Sequence, residues 1–193
     1  MYEALLSASD VVGVANDRSE QEHRSGGKGD VGSQQDRHAQ SVAPKVFIVH
    51  GHDLLAREQA ARLLSELGMT PIVLAEGSFA GRTVIEAIED NRDAVFSLVL
   101  LTPDDVGASA ANPSAQRPRA RQNVLLEFGY FCASLGRQRI CVLMKGEIEM
   151  PSDFAGVMWK PMDPGGAWRV WVAADLEAAG LSPHLRGLLH KPA

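Results

Sequence analysis

The run Val95-Phe-Ser-Leu-Val-Leu-Leu101 constrains this chain most. An extended chain points alternate side chains to opposite faces, and here both faces are apolar. Such a strand is stable only when covered on both sides, as in the middle of a parallel sheet flanked by helices. A second apolar run, Val46 to Val49, reads the same way. Pro71 to Leu74, Arg139 to Leu143 and a short edge segment, Val157 to Lys160, complete five expected strands.

Helical patterns separate these strands. Asp53 can cap a helix that runs to Leu67, with Ala56, Ala60, Leu63, Leu64 and Leu67 on one face and Gly68 at its C′ position. Thr83 to about Asn91 reads as a helix with Val84, Ile85 and Ile88 inward. Arg121 to Leu135 is a third helix with Val124, Phe128, Phe131 and Leu135 as its buried stripe. Trp168 to Ala179 is amphipathic, and Ser182-Pro183 opens a last short helix. Pro103 to Ala120 reads as a long loop. Strict alternation of strand and helix predicts an α/β fold: an open, parallel, five-stranded sheet of order 2-1-3-4-5 with helices on both faces. Its ligand crevice then lies at the carboxyl ends of strands 1 and 3.

Around this domain, residues 1–44 form a tail, and 182–193 form a short C-terminal extension. Asn16 to Ala43 has no Phe, Trp or Tyr and is rich in Gly, Ser, Gln and charge, so it is expected to be disordered. Gly26-Gly-Lys-Gly29 lacks the spacing and the preceding strand of a phosphate loop. A net charge of -5 argues against bulk binding to nucleic acid or an anionic membrane. No apolar run is long enough to span a bilayer, and Met1 to Ala15 lacks the pattern of a signal peptide. Cys132 and Cys141 lie in apolar segments outside any C-x-x-C pair, as expected of reduced thiols in a cytoplasmic protein.

The crevice ends carry His50-Gly51-His52-Asp53 and Thr102-Pro-Asp104-Asp105, and Glu127 follows on the next helix. Glu127 is the lone acid in Val124-Leu-Leu-Glu-Phe-Gly-Tyr-Phe131. It is either a catalytic carboxylate tuned by apolar surroundings or a solvent-facing helix residue, sharing a more polar face with Asn123 and Tyr130. The His50 turn could suggest a metal. The H-x-H-x-D-H pattern fails, however, because Leu54 and Leu55 follow and no later His/Cys cluster completes a site. It could instead bring backbone amides to a phosphate, or be a plain strand-to-helix turn capped by Asp53. In Glu76-Gly-Ser-Phe-Ala-Gly-Arg-Thr83, Phe79 could stack on a base and Arg82 could meet a phosphate, or the segment is an ordinary loop. Asp104 and Asp105 could hold a ribose or cap a turn. Arg117, Arg119 and Arg121 form a cationic run of the kind that is usually solvated.

These segments, taken in order with Gly156-Val-Met-Trp159, resemble the bacterial TIR-like nucleotide-binding domains found as effectors in the CBASS and Pycsar anti-phage systems. The resemblance covers about Lys45 to Leu181. It implies a flavodoxin-like (TIR) fold and cleavage of NAD+ at the nicotinamide glycosidic bond. It also implies a catalytic Glu127 and a flexible substrate-side loop from Gly77 to Arg82. On this reading His50, Gly51, His52, Asp53, Phe79, Arg82, Asp104 and Asn123 bind substrate. NAD+ is substrate, and no metal or resident cofactor is expected. The expected partners are further copies of the chain and a separate sensor protein or cyclic-nucleotide signal, with no nucleic acid and no membrane. Two other functions remain open: a non-catalytic TIR interaction module, and an enzyme like the nucleoside deoxyribosyltransferases.

Overall fold

The computed structural model describes residues 42–73, 84–152 and 158–189. The chain order is β1 (Lys45–Val49), α1 (Leu54–Glu66), β2 (Thr70–Val73), α2 (Val84–Asp90), β3 (Phe96–Leu101), β4 (Asp105–Gly107), β5 (Arg117–Arg119), α3 (Gln122–Ser134), β6 (Ile140–Met144), β7 (Trp159–Pro161) and α4 (Trp168–Ala178). Five strands form one parallel sheet of order β2-β1-β3-β6-β7. Counting only the strands of this sheet, the order is 2-1-3-4-5, as the alternation predicts. The chain has the α/β flavodoxin-like architecture.

The period-two alternation of each strand sorts its side chains into two cores. Val46, Ile48, Leu98, Leu100, Cys141 and Leu143 pack with α1 and α4. Phe47, Val49, Val99, Leu101 and Val142 pack with α2 and α3. The helices are therefore split two and two across the sheet. Every residue of β3 is buried, which is why that segment is apolar on both faces. β2 is only half-buried because it lies at an edge.

The helix signals act as expected on α1. Asp53 accepts a hydrogen bond from the Ala56 amide at 2.9 Å, satisfying one orphan donor of the first turn. At the other end Gly68 adopts φ 81, a left-handed conformation that suits glycine. Its amide donates to the Ser65 carbonyl and the Met69 amide to the Leu64 carbonyl, the paired bonds that close a helix C-terminus.

Three expectations need correction. Ile85 is 56% exposed, and Ala87 joins Ile88 in the core instead; the Val84 side chain lies outside the described residues. The segment from Pro103 to Ala120 is not a plain loop. It contains an antiparallel pair, β4 with β5, in which Asp105 faces Arg119 and Gly107 faces Arg117. Strands of three residues containing Pro118 carry no hydrophobic alternation, so the pattern was invisible. Finally, the edge strand runs Trp159–Pro161, slightly later than expected, and the last helix is a 3-10 turn at Leu185–Leu189. Residues 1–41, 74–83 and 153–157 and the last four lie outside the described residues. The expectations for the N-terminal tail and the Gly77-to-Arg82 loop therefore fall there.

Candidate active site

Parallel strands in register bring their carboxyl ends to one edge of the sheet. Val49 pairs with Val99, and Leu101 pairs with Met144. The residues that follow β1, β3 and β6 are His50, Thr102 and Lys145, so three distant polar groups emerge along one edge. This is the crevice expected of such a sheet.

Asp104 organises that edge. Its Oδ1 accepts from the His52 amide at 2.9 Å, and its Oδ2 accepts from the Thr102 hydroxyl at 2.6 Å. Thr102 is 2% exposed, so this bond sits in a low-dielectric setting and anchors the carboxylate firmly. A Cβ at Gly51 would collide with the Asp104 carboxyl group. Glycine is required there by close approach to that side chain. Asp104 thus ties the β1–α1 turn to the end of β3.

Asp53 has a second role besides capping. Its Oδ2 meets Lys145 Nζ at 2.5 Å, joining the ends of β1 and β6. Partial burial pushes the Asp53 carboxyl up. The Lys145 hydrogen bond and the Ala56 amide outweigh that and hold it below its ordinary value. Lys145 was absent from the residues singled out in the sequence, and Thr102 was named there only as the end of its strand, without a role. The signal was present: each is the first polar residue after a buried parallel strand, the same position that marks His50.

His50 is half-buried, with Nδ1 2.7 Å from the Gly51 carbonyl oxygen. Burial pushes its pKa down. The Gly51 carbonyl opposes this, Arg57 and Arg121 add to it, and Asp104 opposes them; the net shift is downward. The ring is therefore neutral near pH 7.

α3 packs on β1 and β3 and starts at this edge. Its N-cap is Arg121, whose charge reaches His50. Glu127 lies about 60° around the helix from the buried Val124, given 100° per residue. It is half-buried, beside the stripe of Val124, Phe128 and Phe131 and on the side shared with Asn123 and Tyr130, which are exposed. Asn123 precedes Glu127 by one turn. The structure thus brings His50, Gly51, His52, Asp53 and Asp104 together at one edge and starts the helix of Asn123 and Glu127 beside them. Phe79 and Arg82 lie outside the described residues. Arg119 is partly exposed but not free: it bonds Glu149 at 2.6 Å and fastens β5 to the segment after β6.

A separate cavity of about 250 Å³ opens between α1 and α4, lined by Gln59, Lys145, Trp168 and Arg169 among others. It belongs to the face opposite α3 and shares Lys145 with the crevice. Among the described residues no three His, Cys, Asp or Glu side chains cluster as metal ligands, and no helix is long and apolar enough to cross a membrane.

Comparison with known proteins gives a consistent picture. A model of the family described as CAP12/Pycsar effector protein, TIR domain, matches residues 45–164. Uncharacterized protein YuaY of Escherichia coli (strain K12) is 47% identical over 141 residues, covering 72% of this chain and 47% of that protein. Protein tirC of Dictyostelium discoideum is 33% identical over 125 residues, covering 60% of this chain and 62% of that protein. The chain spans about half the length of the first relative and less than two thirds of the second.

Proposed function

The chain belongs to the family of CAP12/Pycsar effector TIR domains, and from that premise we propose that it hydrolyses NAD+ at the nicotinamide N-glycosidic bond. The observation that carries this reading is the position of Glu127: a half-buried acid against an apolar stripe, on the helix that starts beside the His50 turn.

The chemistry suits a single carboxylate. Nicotinamide leaves as a neutral molecule from a cationic ring, so it needs no general acid. The C1′–N bond breaks with its electron pair going to nicotinamide, and positive charge develops on the ribose. Glu127, ionised and partly desolvated, stabilises that charge more strongly than water would. Water then adds at C1′ and loses a proton, giving ADP-ribose. The edge groups around Asp104 hold the rest of the dinucleotide, and Asn123 lines the approach to Glu127.

In this reading the protein is an anti-phage effector that depletes NAD+ in the cytoplasm, acts as an oligomer, and answers to a separate sensor or a cyclic-nucleotide signal. Specific activity then rises with protein concentration, since the competent state is assembled.

The test is incubation with NAD+ and, separately, with a deoxynucleoside plus free base, over nanomolar to high micromolar protein, read by chromatography. Nicotinamide with linear ADP-ribose supports the proposal, and a cyclic product shows the same bond broken with ring closure in place of hydrolysis. Base exchange on the deoxynucleoside points to a deoxyribosyltransferase, and no turnover at any concentration points to an interaction module.

A further inference from the structure

One side chain in the crevice has only half of its hydrogen bonding complete. His50 Nδ1 lies 2.7 Å from the Gly51 carbonyl oxygen. A carbonyl only accepts, so Nδ1 carries the proton and donates. In a neutral ring the other nitrogen, Nε2, then presents a lone pair. Nε2 is buried and has no hydrogen-bond partner among the described residues. Buried acceptors without donors are costly and rare, and functional sites are where they occur.

The ring is not needed to hold the turn. Asp104 ties the His52 amide to Thr102, and Asp53 caps α1. Burial favours the neutral, acceptor form of the ring against the pull of the Gly51 carbonyl. Arg57 from α1 and Arg121 at the start of α3 oppose a proton on it, and Asp104 only partly offsets them. The turn thus supplies a preorganised acceptor beside the helix that carries Glu127.

We propose that His50 Nε2 accepts a hydrogen bond from a hydroxyl of the nicotinamide ribose, making His50 a specificity-determining residue that selects ribose over its deoxy analogues. This rests on the NAD+ reading, which places that ribose beside Glu127. Its hydroxyls are the donors nearest the bond that breaks. A site built around a hydrogen bond to a hydroxyl rejects the analogue lacking it, because its own polar group is left unpaired.

The experiment compares NAD+ with analogues lacking the 2′- or the 3′-hydroxyl of the nicotinamide ribose, in wild type, His50→Phe and His50→Gln. Wild type prefers NAD+ over one of the two analogues by about 10- to 100-fold in kcat/KM, the cost of leaving one buried acceptor unpaired. His50→Phe keeps a planar ring without an acceptor and loses that preference. His50→Gln places an amide oxygen near the position of Nε2 and retains most of it. A second readout is independent of turnover and of the folding of any variant: the 15N resonance of His50 Nε2 in the wild-type protein, titrated with ADP-ribose, shifts as the lone pair acquires a donor. A preference undiminished in His50→Phe, or an Nε2 resonance unmoved at saturating ADP-ribose, overturns the assignment while leaving the NAD+ reading intact. Failure of both NAD+ and ADP-ribose to bind overturns the two together.

Discussion

The two faces of the sheet are built from the same strands and differ in kind. On the α1/α4 face, Ile48, Leu98 and Leu143 pack with Leu63, Leu64, Val172 and Leu176, all of them fully buried. The polar groups at its margin are paired. Arg169, 7% exposed, bonds Glu66 at 2.9 Å, and Arg62 bonds the other oxygen of Glu66 at the same distance. On the α2/α3 face the apolar core is just as well buried, yet polar atoms intrude. Glu127 is half-buried on α3, and the Ser97 hydroxyl is buried with no partner among the described residues. Proteins concentrate such local inconsistencies where chemistry is done. On the proposed NAD+ reading, the contrast makes one face scaffold and the other the reaction face.

The sharpest way to break that contrast is a pair of substitutions, one per face. Glu127→Gln keeps size and removes charge. NAD+ turnover falls by about 100-fold or more while the melting temperature barely moves. Leu64→Ala does the reverse. It opens a cavity in a fully buried position and costs about 3 kcal/mol of stability, with kcat/KM of the folded protein unchanged. Chemical denaturation and steady-state assays check both. If the two variants lose stability and activity in parallel, the division of labour is wrong.

The ion pair on the scaffold face has a smaller effect. Glu66→Ala deprives the buried Arg169 of the carboxylate 2.9 Å away. Since the Glu66 side chain keeps 20% exposure, the loss is about 2 kcal/mol rather than that of a fully buried pair. Burial pushes the Glu66 carboxyl up, but the hydrogen bonds from Arg62 and Arg169 outweigh it and hold it low. That stability is present above the ordinary carboxylate range and disappears as pH falls through the lowered value. Urea melts at neutral pH and again near pH 3 measure it, and a variant equally stable at neutral pH contradicts the assignment.

These same contrasts explain how far the sequence could be read. Strand β3 announced the fold because burial on both faces leaves no freedom in residue type. The edge chemistry was half legible. His50 and Asp53 stood out because they follow a strand directly. The bond from Asp104 to the His52 amide and the pairing of Asp53 with Lys145 link residues 52 and 92 positions apart, and no local pattern carries such a distance. Asp104 could be read as a ribose ligand or a turn residue. The structure shows each carboxylate oxygen accepting one bond from the chain itself, so its visible work is to hold the turn. Ile85 misled for the opposite reason. On a seven-residue helix one face is barely defined by periodicity, and Ala87 is the residue that turns inward.

On the reaction face, Ser97 offers a gain. Its hydroxyl lies in the α2/α3 core with no partner among the described residues. Ser97→Ala removes a desolvated polar atom and very little volume. The variant is more stable by about 1 kcal/mol. A loss of that size instead would mean that the hydroxyl is hydrogen-bonded in solution.

The smallest effect is a titration, and its sign decides which form of His50 the crevice favours. Unfolded histidine has a pKa near 6.5, and that of His50 in the folded chain lies lower. Above about pH 7.5 the ring is largely neutral in both states and contributes little pH dependence. As pH falls below 6.5 the unfolded chain takes up the proton first, so the folded state loses stability until the lowered pKa is passed, with a slope of at most about 1.4 kcal/mol per pH unit. The facing charges are Arg57, Arg121 and Asp104, and burial sets the direction, because the Gly51 carbonyl and Asp104 together offset the two arginines. Asp53 and Glu66, held low, titrate below this window. The difference in stability between wild type and His50→Phe isolates the effect, because the other titrating groups cancel. Above about pH 7.5 that difference is nearly flat; between about pH 6.5 and pH 5 it moves against wild type. If wild type gains on the variant on acidification, the charged ring is the favoured form. Nε2 would then be a donor paired toward Asp104, and the acceptor role proposed for it would fall.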